Sequence, residues 1–215
     1  MYARKVGKQT LTFRVSGQLW NQSLVMQDLE TKSLWSHILG EAKSGPLKGK
    51  KLTVVPSVIT SWQKWRTQFP ESTVVLLRKT SSFDTRAFAA LDQYVLGIHE
   101  GGKAKAWAFS TMNQNPALND EFAGEPVLVA FDKQSRTARL YQRKVGMRVL
   151  TFAMVDGQLV DKETNSVWHP ISGQALKGPL KGTWLSPLPA FLSYRHVWKG
   201  FHPDSEYGPG DRRQK

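Results

Sequence analysis

Two stretches of the chain, one near its start and one in its second half, alternate between apolar and polar residues. Leu11, Phe13 and Val15 are separated by polar residues, and Leu-Thr-Phe returns at residues 150–152. Alternation with a period of two, carried by Thr, Phe and Val, is typical of a strand with one buried face. Apolar runs predict further strands at residues 73–77, 104–109 and 127–131, the last two flanking a predicted loop at residues 113–124.

A different spacing appears near the end of each half, where aromatic residues recur every three to four positions. This spacing places them on one face of a helix. Ser57 is the predicted N-cap of the first helix, and Pro70 and Pro203 end the two helices because proline cannot continue the hydrogen-bond pattern. We interpret such aromatic stripes as core rather than as a binding platform. The stripes are Val58, Trp62, Trp65 and Phe69 in the first half, and Phe191, Tyr194, Trp198 and Phe201 in the second.

The chain contains an internal repeat. YARKVG begins at Tyr2 and YQRKVG at Tyr141, an offset of 139 residues. Gly-Pro-Leu-Lys-Gly occurs identically from Gly45 and from Gly178, an offset of 133, and each copy is typical of a turn between strands. A shared Gly-Gln-Leu ends at Leu19 and Leu159. The fall in offset from 139 to 133 shows that the first copy holds six additional residues between YARKVG and Gly-Pro-Leu-Lys-Gly.

These patterns predict an α+β protein, predominantly β, with two related β-rich repeats that each contain one short amphipathic helix. Residues 1–82 are the C-terminal part of repeat 1, expected to be N-terminally incomplete, and residues 83–207 are repeat 2, a degenerate copy. The polar residues 79–85 are the predicted linker. Residues 208–215, rich in Gly, Pro and charge, are the predicted disordered tail.

Charge, apolar run length and the number of cysteines argue against several classes of function. The net charge is +13, but the 30 Lys and Arg residues are scattered, which favours a solvated basic surface over a nucleic-acid site. No apolar run is long enough to cross a bilayer, so the sequence predicts a soluble protein with no membrane span. The absence of cysteine excludes disulfides, thiolate metal sites and cysteine nucleophiles within these 215 residues.

The repeat also serves as an internal control for candidate chemistry. None of the five histidines recurs in the other copy, and none has HxH, HxxxH or HExxH spacing, so we predict no metal site. No glycine-rich loop joins a strand to a helix, which gives nucleotide binding no support. The sequence therefore predicts no catalytic residue and no cofactor. The carboxylates that recur, in Asp-x-Glu-Thr-x-Ser at residues 28–33 and 161–166, are typical of a capped turn.

A functional site is expected where the first copy departs from the shared scaffold. Asn21, Ser23 and Met26 belong to the part of the first copy that the second lacks. Glu41 aligns with Gln174, so its charge is unique to the first copy.

Residues 11–57 (LTFRVSGQLWNQSLVMQDLETKSLWSHILGEAKSGPLKGKKLTVVPS) resemble a family of prokaryotic proteins known as domain of unknown function 3179. The pattern of that family runs approximately LTFGVSGLLYNSDLVMYDRETxSLWSQLTGEAIxGPLxGTxLxxLPS. The Trp-x-x-Trp and Phe-Pro elements within residues 62–70 also fit it. A weaker resemblance covers residues 107–203.

In that family, the Leu-Thr-Phe strand follows an element similar to Tyr-Cys-Pro-Leu-Cys-Gly-Thr-Ala, in which a cysteine can be selenocysteine. The resemblance implies thiol or selenol redox chemistry, because a Cys-x-x-Cys pair can cycle with a disulfide. In the second copy, Asp132 and Ser135 stand where the cysteines would be, and in the first copy the element would precede Met1. We therefore expect Met1 to be an internal methionine that follows an in-frame UGA. A real truncation after loss of function is the competing explanation.

The first functional hypothesis is a thiol or selenol oxidoreductase whose reactive motif lies upstream, so that the chain as given is inactive. Its pocket would be lined by Asn21, Ser23, Met26, Trp35 and Glu41, which would control orientation and polarity. The alternative is a non-enzymatic binding or interaction module with a basic, Trp-rich surface, and nucleic-acid binding is a third, less favoured hypothesis. The sequence indicates no compartment, although a signal for export would be lost with an upstream segment.

Overall fold

The computed structural model describes residues 1–75 and 90–211. This part of the chain consists mainly of antiparallel strands, with three short α-helices, none of which is long and apolar enough to span a membrane. Two four-stranded sheets are formed from equivalent parts of the two halves. The predicted α+β class, its predominance of β-structure and its two related repeats are therefore confirmed.

The first repeat consists of a small hairpin, a four-stranded sheet and one helix. Its elements are β1 (Lys5–Val6), β2 (Gln9–Thr10), β3 (Phe13–Trp20), β4 (Ser23–Asp28), β5 (Leu34–Ser36), β6 (Ala42–Ser44) and α1 (Trp62–Gln68). Strands β1 and β2 pair with each other, and β3-β4-β5-β6 form an antiparallel meander.

The second repeat contains the same hairpin and meander together with two further sheets. Its elements are β7 (Tyr94–Glu100), β8 (Lys103–Ala108), α2 (Phe109–Gln114), β9 (Ala117–Phe122), β10 (Glu125–Asp132), β11 (Thr137–Gln142), β12 (Lys144–Val145), β13 (Arg148–Val149), β14 (Phe152–Val155), β15 (Gln158–Asp161), β16 (Val167–Trp168), β17 (Ala175–Lys177), β18 (Phe191–Tyr194), α3 (Arg195–Phe201) and β19 (Glu206–Tyr207). Strands β12-β13 repeat the hairpin, and β14-β15-β16-β17 repeat the meander. The additional sheets have the orders β11-β10-β9 and β18-β7-β8-β19.

The six additional residues of the first copy lengthen one hairpin. Phe13 pairs with Asp28 across β3 and β4, as Phe152 pairs with Asp161 across β14 and β15. From this common register β14 extends over four residues, whereas β3 extends over eight. The tip of the longer hairpin therefore projects beyond the point at which its counterpart turns back.

This register corrects one part of the repeat alignment. Met26 lies opposite Val15 on β3, and Leu159 lies opposite Met154 on β14. Met26 is therefore the structural counterpart of Leu159. Pairing Leu159 with Leu19 because of the shared Gly-Gln-Leu is wrong, since local identity does not reveal which residues face each other across a hairpin.

The Gly-Pro-Leu-Lys-Gly turns pack against the serine that ends each Asp-x-Glu-Thr-x-Ser turn. A Cβ on Gly45, whose φ is +89°, would lie 2.7 Å from Ser33 Cα. The same distance separates a Cβ on Gly178, with a φ of +90°, from Ser166 Cα. In both copies the serine hydroxyl also accepts the leucine N–H of the turn at 3.1 Å. These glycines are therefore required both by their positive φ and by close backbone packing.

The helix predictions need correction in the first repeat. The N-cap of α1 is Ser61, not Ser57, and none of the residues of α1 is buried. In the second repeat Trp198 of α3 is fully buried, but Phe191 and Tyr194 lie on β18. The interpretation as core is therefore right for Trp198 and wrong for α1. Helical spacing shows which side chains share a face, but not whether another element covers that face.

Two strand predictions also need correction. The strand expected from residue 73 is absent from its described part, since residues 73–75 form no strand and Val75 is 84% exposed. The loop expected at residues 113–124 contains β9, which pairs with β10. Alternation is weak in β9 because its polar residues Asn119 and Asp120 hydrogen-bond to other elements.

The predicted linker at residues 79–85 and the boundary between residues 82 and 83 lie outside the described residues. The described part of the predicted disordered tail, residues 208–211, packs against the second repeat. Gly208 N donates to Ala106 O at 2.8 Å, and Asp211 forms an ion pair with Arg195 at 2.8 Å.

We expect Gly178→Ala to destabilise the protein more than Gly182→Ala does. Both glycines have a φ near +90°, so an alanine is strained at either position, by about 1 to 2 kcal/mol. Only at Gly178 does the new methyl group also meet backbone atoms, because no atom lies within 4 Å of a Cβ at Gly182. Urea unfolding should show an additional loss of about 1 kcal/mol or more for Gly178→Ala. Equal losses for the two variants would contradict the proposed packing of the turn on Ser166.

Candidate functional site

A cleft of about 600 Å³ lies where α1 of the first repeat meets the second repeat. One wall is the turn that joins β10 to β11, and another is formed by residues that follow β16. We name it the two-repeat cleft and define it by six lining residues: Lys64, Asp132, Lys133, Gln134, Met154 and His169.

The β10–β11 turn is held by its own side chains and by the segment before α1. Asp132 accepts hydrogen bonds from the N–H of Ser135 at 3.0 Å and from the Ser135 hydroxyl. Thr137 contacts that hydroxyl at 2.7 Å and donates to Thr60 of the first repeat at 2.8 Å. Asp132 and Ser135, predicted to align with the cysteines of the family element, therefore belong here to a capped turn beside the cleft.

His169 and Lys64 contribute hydrogen-bond donors to the cleft. His169 Nδ1 accepts the N–H of Ser172 at 3.1 Å, so a neutral ring carries its proton on Nε2. Burial lowers the pKa of His169, the carboxylate of Asp132 opposes this effect, and the charge of Lys64 adds to it. The ring is therefore neutral at pH 7. Lys64 Nζ donates to Gln134 Oε1 at 2.6 Å, which holds the ammonium at the cleft.

This arrangement is suited to binding rather than to covalent catalysis. Lys64, Lys133 and the Nε2–H of His169 can each bind an anionic oxygen, and Met154 supplies an apolar surface. The Ser135 hydroxyl donates to Asp132, not to a histidine, so no nucleophile–base pair is formed there. Within residues 1–75 and 90–211, no group of three or more His, Asp or Glu side chains is placed to hold a metal ion.

The residues predicted to form a pocket lie at the tip of the long hairpin and around the sheet of the first repeat. Asn21, at the tip of the long hairpin, donates from Nδ2 to Gly200 O in α3 at 3.1 Å. Beside it, Trp20 packs edge-on against Phe201 with ring centroids 5.2 Å apart. Ser23 pairs with Trp20 across the hairpin and is 8% exposed. The additional residues therefore join the first repeat to the last helix of the second.

The other three predicted residues lie on the sheet of the first repeat. Glu41 forms an ion pair with Lys43 at 3.0 Å, and Lys43 Nζ lies 5.2 Å from the ring centroid of Trp20. Met26 and Trp35 lie opposite each other on β4 and β5 and belong to the core of the repeat. None of the five lines the two-repeat cleft, and their part in a site stays a prediction.

Tryptophan is largely a core residue in this protein. Trp20, Trp62 and Trp184 are 37%, 41% and 50% exposed, and they lie on different elements. The tertiary fold encloses half of the eight tryptophans, and a binding role for a Trp-rich surface stays a prediction. The fully buried ones are Trp35, Trp107, Trp168 and Trp198.

Sequence reasoning missed a pair of histidines between the repeats. His99 of β7 and His202 at the C-cap of α3 have ring centroids 4.8 Å apart, and Phe191 stacks on His99 at 5.4 Å. The ring of Phe191 also lies 6.0 Å from that of Tyr2, so the pair adjoins the first repeat. Burial, and to a smaller extent the charge of His99, lowers the pKa of His202 to about 4. Nothing in the sequence could pair two residues so far apart.

Comparison with known proteins agrees with the duplication. The family model described as "Protein of unknown function (DUF3179)" matches residues 1–94 and, separately, residues 82–207. The resemblance found in the sequence is thereby confirmed. No curated protein and no solved structure matches the chain.

We expect stability to fall below pH 6.5 because of the half-buried histidine pair. A folded-state pKa of about 4 for His202, against 6.5 when unfolded, means that the folded protein favours the neutral ring. This contribution is complete above pH 6.5 and is lost as the pH falls from 6.5 through 4. Urea midpoints measured between pH 7.5 and pH 4.5 would report the decline.

His202→Phe should weaken this pH dependence, because the first repeat has Phe69 at the equivalent position and phenylalanine does not titrate. Replacing the exposed His196 by glutamine is the matched control and should leave the dependence unchanged. If His202→Phe declines with pH as steeply as the parent chain, the histidine pair is not responsible.

Proposed function

The chain belongs to the DUF3179 family, and from that premise we propose that it is a binding module that takes a small organic anion in the two-repeat cleft. The observation that carries the proposal is that Lys64, Lys133 and a histidine with its proton on Nε2 line one cavity, beside an Asp132 carboxylate that already accepts a hydrogen bond from Ser135. A volume of about 600 Å³ suits a small molecule. This proposal replaces the Trp-rich surface with the cleft as the place of binding.

The lining of the cleft indicates the class of ligand. Lys64, Lys133 and His169 favour a carboxylate or a similar anion, since charge-assisted hydrogen bonds to oxygen are stronger than neutral ones. Phe131 and Met154 line the same cavity and favour a ligand with an apolar body. The net charge of +13 raises the local concentration of anions around the whole protein.

Binding of a small aromatic carboxylate should depend on Lys64. We expect benzoate to bind saturably in NMR titrations, and Lys64→Met to weaken its binding about tenfold through loss of one charged hydrogen bond. Lys181→Met is the matched control, because Lys181 is exposed in a turn away from the cleft. If benzoate and other small carboxylates do not bind, or if both variants weaken binding equally, the proposal is wrong.

A second candidate function, thiol or selenol oxidoreduction by a longer form of the protein, is supported by the position of the β10–β11 turn. Asp132 and Ser135, which align with the two cysteines of the family element, lie within hydrogen-bond distance of each other. Two cysteines at such positions could form a disulfide, passing two electrons to a disulfide substrate that is reduced to two thiols. The present chain has no cysteine and cannot perform this step.

This second candidate is tested by the codons immediately upstream of Met1. A polypeptide extended through a Cys or UGA codon should reduce a disulfide substrate, and its Cys→Ser variant and the 215-residue chain should not. Absence of such a codon, or stop codons at several positions, would exclude the redox candidate. It would leave the binding proposal untouched, because that proposal concerns residues of the present chain.

A further inference from the structure

The two repeats build the same core beneath their meander sheets, residue for residue. In each, a tyrosine, two leucines, a phenylalanine, a tryptophan and an alanine occupy equivalent positions, and Met26 replaces Leu159. The core of the first repeat contains Tyr2, Leu11, Phe13, Met26, Trp35, Ala42 and Leu52, and the core of the second contains Tyr141, Leu150, Phe152, Leu159, Trp168, Ala175 and Leu185.

Three further residues complete the core of the second repeat. Ala117 of β9 and Leu128 and Ala130 of β10 pack into it, so the three-stranded sheet covers the meander. No residue of the described chain takes these places in the first repeat. The core there is identical in plan, but within residues 1–75 and 90–211 no strands cover it as β9 and β10 cover the second.

Equivalent side chains of the two cores are more exposed in the first repeat than in the second. Tyr141, Phe152 and Leu159 are 0%, 2% and 2% exposed, whereas their counterparts in the first repeat are only partly buried. Farther along β3, Val15 and Leu19 are 66% and 72% exposed. We name this surface the acceptor face and define it by Tyr2, Phe13, Val15 and Met26.

The edge strand of the meander also has different hydrogen-bond partners in the two repeats. In the second repeat, Asn119 of β9 donates from Nδ2 to Phe152 O at 2.7 Å and accepts the N–H of Phe152 at 2.8 Å. This pair of bonds attaches the cover to the edge strand β14. At Phe13, the counterpart of Phe152, no side chain of the described residues makes such a contact.

We propose that the acceptor face binds a three-stranded β-sheet segment of the same kind as β9–β11, joined to the amino side of Tyr2 in the same polypeptide. The position of Tyr2 indicates this connection. Its hydroxyl donates to His37 O at 2.8 Å and to Ile38 O at 3.0 Å, as the Tyr141 hydroxyl donates to two successive carbonyls of the second repeat.

Tyr141 lies within β11, where it pairs with Leu128 of β10. If a three-stranded sheet packed on the first repeat in the same way, its last strand would therefore continue directly into Tyr2. A second copy of the chain fits less well, because its own β9 and β10 already cover its own meander. The inference concerns the acceptor face only and does not rest on a ligand in the two-repeat cleft.

The test attaches a copy of residues 115–140 directly in front of Tyr2 of the full chain, in place of Met1. These residues contain β9, β10 and most of β11. The graft should slow hydrogen exchange of the β3 amides around Phe13 and raise the melting temperature by at least about 5 °C, because the apolar acceptor face leaves water.

A matched graft with Leu128→Lys in the attached copy alone should give neither effect, since its lysine would enter the apolar core. If the unaltered graft leaves the exchange of β3 unchanged, the acceptor face does not take such a segment and the inference is overturned. If the ungrafted chain instead forms a dimer that Val15→Lys dissociates in size-exclusion chromatography with light scattering, the occupant is a second copy and the inference is equally wrong.

Discussion

A buried carboxylate holds each repeat together. Asp28 and Asp161 are completely enclosed, and each accepts an indole N–H at 2.8 Å from the tryptophan seven positions later. Burial by itself raises the pKa of Asp28, but the hydrogen bonds from Trp35 and Thr31 bring it below its ordinary value. An enclosed carboxylate without such donors would cost several kcal/mol. The recurring Asp-x-Glu-Thr-x-Ser-x-Trp is therefore a single hydrogen-bonded unit, whose residues depend on one another.

This unit organises the surrounding sheet. The threonine that follows each aspartate contacts a serine at 2.7 Å, and that serine in turn accepts the N–H of the Gly-Pro-Leu-Lys-Gly turn. The intervening glutamate accepts the N–H of the residue before the edge strand, Thr12 or Thr151. One short motif thereby connects the edge strand to two turns. The first is the turn that the motif itself forms, and the second is the Gly-Pro-Leu-Lys-Gly turn. The identical pentapeptide is preserved in both copies because it packs against this network.

The repeats differ where they meet each other. In the first copy the longer hairpin contacts α3 through Asn21, whereas in the second the β10–β11 turn contacts α1 through Gln134, which accepts a hydrogen bond from Lys64. These unequal contacts create one cleft with donor groups and one junction with a half-buried histidine pair. A change that separates the repeats would therefore disturb both the cleft and the stability of the junction.

By itself, the sequence determined the family, the duplication, the predominance of β-structure and the capped turns at Asp28 and Asp161, because each of these depends on residues close together in the chain. Only the tertiary structure decided that Met26 and Trp35 belong to a core, that α1 has no buried residue and that His99 meets His202. Burial depends on which distant element covers a face, and periodicity carries no information about that element. Four of the five predicted pocket residues were chosen where the copies differ, but one of them, Asn21, serves to join the repeats. For the same reason, the cleft that unites Lys64 with His169 could not be seen before the two repeats were brought together.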